Sequence, residues 1–126
     1  MGNQALKSNT FSKAEQFHRA GNLAEAETVY RQVLKSDPEH SEALRLLGLL
    51  AHQSGNHDAA VELVGKALAI APNFAEAHAT LAGTLHTLGR IEEAEVSYRK
   101  SLSLKPDQPE ALRNFGNLLR ESGKLE

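Results

Sequence analysis

An all-α solenoid of stacked antiparallel helix pairs is expected for these 126 residues, and three observations carry the expectation. Pro38, Pro72 and Pro106 stand 34 residues apart, and Gly21, Gly55, Gly89 and Gly123 keep the same interval. Between them, large apolar residues recur at i, i+4 spacing, the period of one helical face. Two columns of small residues, Ala14, Gly48, Ala82, Gly116 and Ala26, Ala60, Ala94, share the interval and suit close approach of two helix backbones. Self-similarity of this length marks units that bury their apolar faces only against their neighbours.

The units run 7–40, 41–74 and 75–108, with a half unit at 109–126, all in one domain spanning 1–126. A first helix over 8–20 turns Ala14 and Phe17 inward and ends at Gly21-Asn22, where glycine takes positive φ just past a helix end. A second, 23–36, presents Ala26, Tyr30 and Leu34 as its buried stripe. It stops before Pro38, because proline lacks an amide hydrogen and disfavours helix in the residue before it. The pattern repeats in helices 41–54, with Leu47, Gly48 and Ala51, and 57–70, with Ala60, Val64 and Leu68 ahead of Pro72. It repeats again in 75–88, with Leu81, Ala82 and Leu85, and 91–104, with Ala94, Tyr98 and Leu102 ahead of Pro106. The last helix, 109–122, carries Phe115, Gly116 and Leu119 and ends at Gly123-Lys124, where another helix would begin. Either a shortened chain or a half unit acting as a cap accounts for that ending.

Leu47-Gly48, Gly55, Ala60, Ala67 and Pro72 in the second unit, Leu81-Ala82, Leu85, Gly89, Ala94, Tyr98 and Pro106 in the third, and Ala14, Phe17, Gly21, Ala26, Tyr30 and Pro38 in the first together resemble the tetratricopeptide repeat family. The resemblance covers about 120 of the 126 residues and implies a right-handed superhelix. It departs from the family pattern at Lys13, where a large apolar residue is usual, and at Ser101, where a small apolar one is.

Composition narrows the function. Apolar residues make up 40% and charged residues 24%, ordinary for a soluble protein. A net charge of −2, from 14 basic and 16 acidic residues, argues against nucleic acid or an anionic membrane as the main partner. The absence of cysteine removes disulfides, thiolate metal sites and thiol nucleophiles. The N-terminus, Met1-Gly2-Asn3-Gln4-Ala5-Leu6, has no signal-peptide pattern, and Leu6 stands where a myristoylation motif requires Ser or Thr, so cytoplasm is inferred. No nucleophile with a base and an orienting acid, phosphate loop or paired carboxylate stands out, so no enzyme activity, cofactor or metal is expected.

The resemblance also implies that the first helix of each unit lines a concave groove in which a peptide or helical segment of a partner lies. Residues sharing one face of those helices are Ser8, Phe11, Glu15, His18; Glu42, Arg45, Leu49, His52; Glu76, Ala79, Gly83, His86; and Glu110, Arg113, Asn117, Arg120. His18, His52 and His86 keep the repeat interval. They form either a titratable track, imidazole changing charge near pH 6.5, or an inherited surface feature. Spacing argues against one shared metal ion: equivalent residues of adjacent units lie about 10 Å apart, against ligand distances of about 2.0–2.1 Å. Glu42, Glu76 and Glu110 either face a ligand or complement helix N-termini. Leu49 is either an apolar anchor or packing, and Gly83 either leaves room for a ligand backbone or is neutral drift.

Two binding modes of the family are checked residue by residue. Phe11, Glu15, Leu46, Glu76 and Thr80 occupy the places of the carboxylate clamp for acidic chaperone tails, so that clamp is absent. Ser12, Leu46, Thr80 and Asn114 occupy the asparagine-ladder places of O-linked N-acetylglucosamine transferases, and only Asn114 fits. The expected function is therefore a non-catalytic scaffold binding a protein or peptide. Two alternatives are a targeting segment ahead of a glycosyltransferase- or sulfotransferase-like enzyme, and a homo-oligomer assembling through Ala111, Phe115 and Leu118 of the half unit.

Overall fold

The structure is a computed structural model that describes residues 2–124, with side chains from residue 9 onward. Among these residues the elements are α1 (Gly2–Arg19), α2 (Leu23–Ser36), α3 (Ser41–Gln53), α4 (His57–Ile70), α5 (Ala75–Thr87), α6 (Ile91–Leu104) and α7 (Pro109–Glu121), with no strand. Six helices fall within a residue of expectation. α1 instead begins at Gly2 rather than at residue 8, since no proline or glycine interrupts 3–20 and Gln4, Ala5, Leu6 and Lys7 are good helix formers.

Each first helix of a pair closes on a glycine with positive φ, 82° at Gly21, 85° at Gly55, 79° at Gly89 and 76° at Gly123. The turn at Gly55 shows the mechanism. Its N–H donates to the His52 carbonyl at 3.0 Å and the Asn56 N–H to the Ala51 carbonyl at 2.8 Å, which satisfies the orphan carbonyls of the helix end. The chain thereby reverses into the second helix. α1 packs on α2, α3 on α4 and α5 on α6, and the pairs stack through α2 with α3, α4 with α5 and α6 with α7.

The small columns lie where the paired backbones come closest. Ala14, Ala26, Ala60, Ala82 and Ala94 are all inaccessible, and Tyr30, Val64 and Tyr98 are buried beside them. One cluster gathers Ala14, Ala26, Tyr30, Leu46, Leu47 and Leu50, and a second Ala82, Leu85, Ala94, Tyr98 and Leu118. Each fully buried Leu or Val contributes about 1.5–3 kcal/mol. The second-helix stripe differs from expectation. Leu34, Leu68 and Leu102 are only half-buried, whereas Val33, Ala67 and Ser101 are buried. The seam follows i, i+3 past the aromatic column because the next repeat packs on that side, leaving the leucines on its flank.

Ser101, a departure from the family pattern, is inaccessible yet satisfied. Its hydroxyl donates to the Ala75 carbonyl at 2.7 Å and accepts from Gln108 Nε2 at 3.0 Å, tying α6 to α5 and to the turn before α7. α7 corrects another expectation. Ala111 and Leu118 are buried within the chain, Leu118 in the second cluster, so of the three residues expected to self-associate only Phe115, partly buried against that cluster, keeps accessible surface. The exposed apolar side chain of that helix is Leu112, 51% accessible. Among the described residues no helix is long and apolar enough to cross a membrane.

Candidate functional site

A cavity of about 380 Å³ opens where α3, α5 and α7 meet. α3 contributes Arg45, Leu49 and His52, and α5 contributes Glu76, Ala79, Thr80 and Gly83. Asp107 and Gln108 enter from the turn before α7, Glu110 and Asn114 from α7 itself, Lys105 from the end of α6, and Tyr98 from within α6.

Most charges on its wall are already paired. Arg45 Nη2 donates to Glu42 Oε1 at 3.1 Å, its guanidinium lies 5.5 Å from the Phe74 ring centroid, and its side chain is 15% exposed. Its Nε is buried without a partner. Lys105 Nζ donates to Glu76 Oε2 at 3.0 Å. That hydrogen bond holds the Glu76 carboxyl below its ordinary range, against the opposing effect of burial. Tyr98 is 2% exposed, and its ring stacks on Phe115 with centroids 5.3 Å apart. Burial, aided by the charge of Glu110, pushes its phenol up to about 12, so it is neutral at physiological pH. The Tyr98 hydroxyl and the Asn114 side chain have no hydrogen-bond partner among the described residues, and Asp107 and Glu110 have no ion pair there.

Of the residues placed on the inner face from sequence, Arg45, Leu49, His52, Glu76, Ala79, Gly83 and Glu110 line this cavity. Leu49 packs on the first cluster and also walls the cavity. A Cβ built at Gly83 would meet only the Tyr98 hydroxyl, at 3.7 Å, so the missing side chain keeps the cavity open. Phe11 lies against the rings of Tyr30 and His40, with centroids 6.3 and 4.6 Å away. Glu15 is half-buried, Arg113 and Arg120 are exposed, and Asn117 accepts from Arg120 Nη1 at 3.1 Å. Ser8 lies outside the described side chains.

The histidine column bridges repeats. His18 Nε2 donates to Gln53 Oε1 at 2.7 Å while its Nδ1 accepts from the Tyr30 hydroxyl at 3.0 Å. His86 Nε2 donates to Glu121 Oε2 at 2.7 Å, at the same sequence separation of 35. His52 breaks the pattern, because its counterpart Thr87 donates instead to the Gly83 carbonyl and His52 turns to His57, Nδ1 to Nδ1, at 2.9 Å. Burial, then the neighbouring His57, lowers the His52 pKa below 6.5. A histidine lowered on folding binds its proton more readily in the unfolded chain. Stability at this residue is therefore full above the ordinary value and is lost as pH falls through 6.5 toward the folded value. Urea midpoints measured between pH 7.5 and 5.5 should fall for the parent and flatten for His52→Asn. Equal slopes would contradict the assignment.

Tyr98, Lys105 and Asp107 escaped the sequence reading, which took lining residues only from first helices. The available signal was Gly83, a gap on the inner face at the level of the tyrosine column.

The geometry defines an α-solenoid of helix pairs with an inner groove. Two tetratricopeptide repeat family profiles match residues 11–74 and 51–111, and the chain belongs to that family. Comparison with curated proteins finds no match. Among solved structures, an O-GlcNAc transferase of Thermobaculum terrenum superposes with a TM-score of 0.91 and 32% identity, over 94% of this chain but 23% of the enzyme's. The first TPR domain of Spaghetti (RPAP3), bound to an HSP90 peptide, gives 0.85 at 18% identity, covering 93% of each chain. The Sgt2 TPR domain of Aspergillus fumigatus gives 0.87 at 18%, over 94% of this chain and 80% of its own. These last two share the fold.

Proposed function

We propose that this chain is a non-catalytic interaction module whose inner groove takes a peptide or helical segment of a partner protein. The observation that carries the reading is the cavity at α3, α5 and α7. Its apolar wall of Leu49 and Ala79 stands beside an unpartnered phenol and an unpartnered amide, and a carboxamide both donates to and accepts from a peptide backbone. Phe11, Glu15, His18, Glu42, His86, Arg113, Asn117 and Arg120 would extend the contact along the groove beyond this cavity. The Spaghetti domain holds an HSP90 peptide, but here Phe11, Glu15, Leu46, Glu76 and Thr80 supply no clamp for an acidic tail.

Gly83→Leu tests the reading. The new side chain fills the cavity, while replacing a helical glycine favours the helix by roughly 0.5–1 kcal/mol. Peptides selected on the parent from a phage-displayed random library should bind this variant at least about tenfold more weakly, the scale of one lost anchor contact, with its melting temperature maintained. Equal binding would remove the groove as the site.

A second reading is favoured by the similarity to the Thermobaculum terrenum enzyme, in which an array like this one is part of a longer chain. Under it the groove belongs to a targeting segment of a larger glycosyltransferase-like protein. An immunoblot of source cells separates the two, since a band at 13.7 kDa rejects the larger protein and a much heavier band supports it.

A further inference from the structure

We propose that the α5–α7 end of the groove is a subsite for a basic side chain, a lysine or arginine of the bound segment, seated among Tyr98, Asp107, Glu110 and Asn114. The inference rests on the groove reading above and names the chemistry of what the groove accepts.

Charge bookkeeping at the cavity points one way. Both cations on its wall are engaged, Arg45 with Glu42 and Lys105 with Glu76. Asp107 and Glu110 are exposed and carry no ion pair among the described residues, so the uncompensated charge at this end is negative. Arg113, one turn further along α7, is exposed and lies outside the cavity wall.

Acidic residues at the start of a helix have another use, because Asp107 and Glu110 also complement the positive end of α7. That role does not account for Tyr98. Its hydroxyl, on a residue 2% exposed, opens onto the same cavity and meets no partner among the described residues, so it is free to take one from a bound segment. A neutral phenol accepts a hydrogen bond from an ammonium or guanidinium, and the Asn114 Oδ1 supplies a second acceptor. A cation entering here exchanges water for two neutral acceptors and two carboxylates, which is what desolvating a charge requires. An acidic side chain would face Asp107 and Glu110, with Arg45 and Lys105 already paired to Glu42 and Glu76 and the one unpartnered donor there, Arg45 Nε, buried.

The test uses the whole chain and a phage-displayed library of random 12-residue peptides, with selected sequences then synthesised. Lysine and arginine should be enriched among peptides whose binding is lost in Gly83→Leu. Their affinity should fall at least about fivefold in the double variant Asp107→Asn, Glu110→Gln, and also in Tyr98→Phe, with a weaker salt dependence in the double variant. Thermal melts of each variant verify folding. Peptides lost in Gly83→Leu that are acidic or uncharged, or basic peptides indifferent to the double variant, would overturn the subsite and leave the groove reading intact. Peptides unaffected by Gly83→Leu would overturn both.

Discussion

Tyr98→Ala is expected to lower unfolding free energy by about 3–5 kcal/mol, the range for deleting a buried aromatic. The ring sits among Ala82, Leu85, Ala94 and Leu118 and stacks on Phe115, so its removal empties the second cluster at the point where α7 joins the stack. α7 packs chiefly on α6, with α5 beside it, and Leu118 is its inaccessible anchor. Urea denaturation should therefore show the lost stability together with reduced helicity before the main transition, as α7 detaches. A paired comparison isolates the ring from its hydroxyl. Tyr98→Phe should be nearly neutral for stability, because that hydroxyl has no partner to lose. Tyr30→Phe should cost about 0.5–1.5 kcal/mol, because its hydroxyl donates to His18 Nδ1 at 3.0 Å. If Tyr98→Ala costs under about 1 kcal/mol, the second cluster does not hold the C-terminal half unit.

Helix placement was readable from the sequence because each boundary is set by local chemistry that recurs. Glycine takes the left-handed turn at Gly21, Gly55, Gly89 and Gly123, and the prolines stop the second helices. The start of α1 was not readable, since nothing in residues 3–7 either demands or forbids helix. Burial followed the columns where backbones meet, at Ala26, Ala60 and Ala94, and failed at Leu34, Leu68 and Leu102, where the packing of the next repeat decides which side of the seam is covered. The groove was readable only in outline. Arg45, Leu49, His52 and Glu76 follow from helical spacing, but the pairing of Lys105 with Glu76 spans 29 residues and depends on how α6 lies against α5. Tyr98 belongs to a core column by its spacing, and only the gap at Gly83 lets its hydroxyl reach the groove. The histidine column shows the same limit. Its period was evident, yet its bonds run to Gln53 and Glu121, residues one repeat further on that no local pattern singles out.

Two glycines of one column should respond to alanine with opposite signs. At Gly48 an added Cβ would stand 2.6 Å from Val64 Cγ2, 3.3 Å from the Ala60 carbonyl oxygen and 3.4 Å from the Val64 nitrogen. The neighbours are largely backbone of α4, so the α3–α4 pair must separate to admit the methyl. Overpacking of this kind costs about 1–3 kcal/mol, more than the roughly 0.8–1.0 kcal/mol that alanine gains over glycine as a helix former. Gly116 occupies the same place in α7, and a Cβ there meets nothing within 4 Å. Gly116→Ala should therefore stabilise by about 0.5–1 kcal/mol. The closest clash at Gly48 is with a side-chain methyl, so Val64→Ala should make room for it. A double-mutant cycle of Gly48→Ala with Val64→Ala is expected to show a favourable coupling of about 0.5–3 kcal/mol, the range for residues in direct contact. Should Gly48→Ala stabilise the chain as Gly116→Ala does, the close approach of α3 and α4 on which the stacking rests would be wrong.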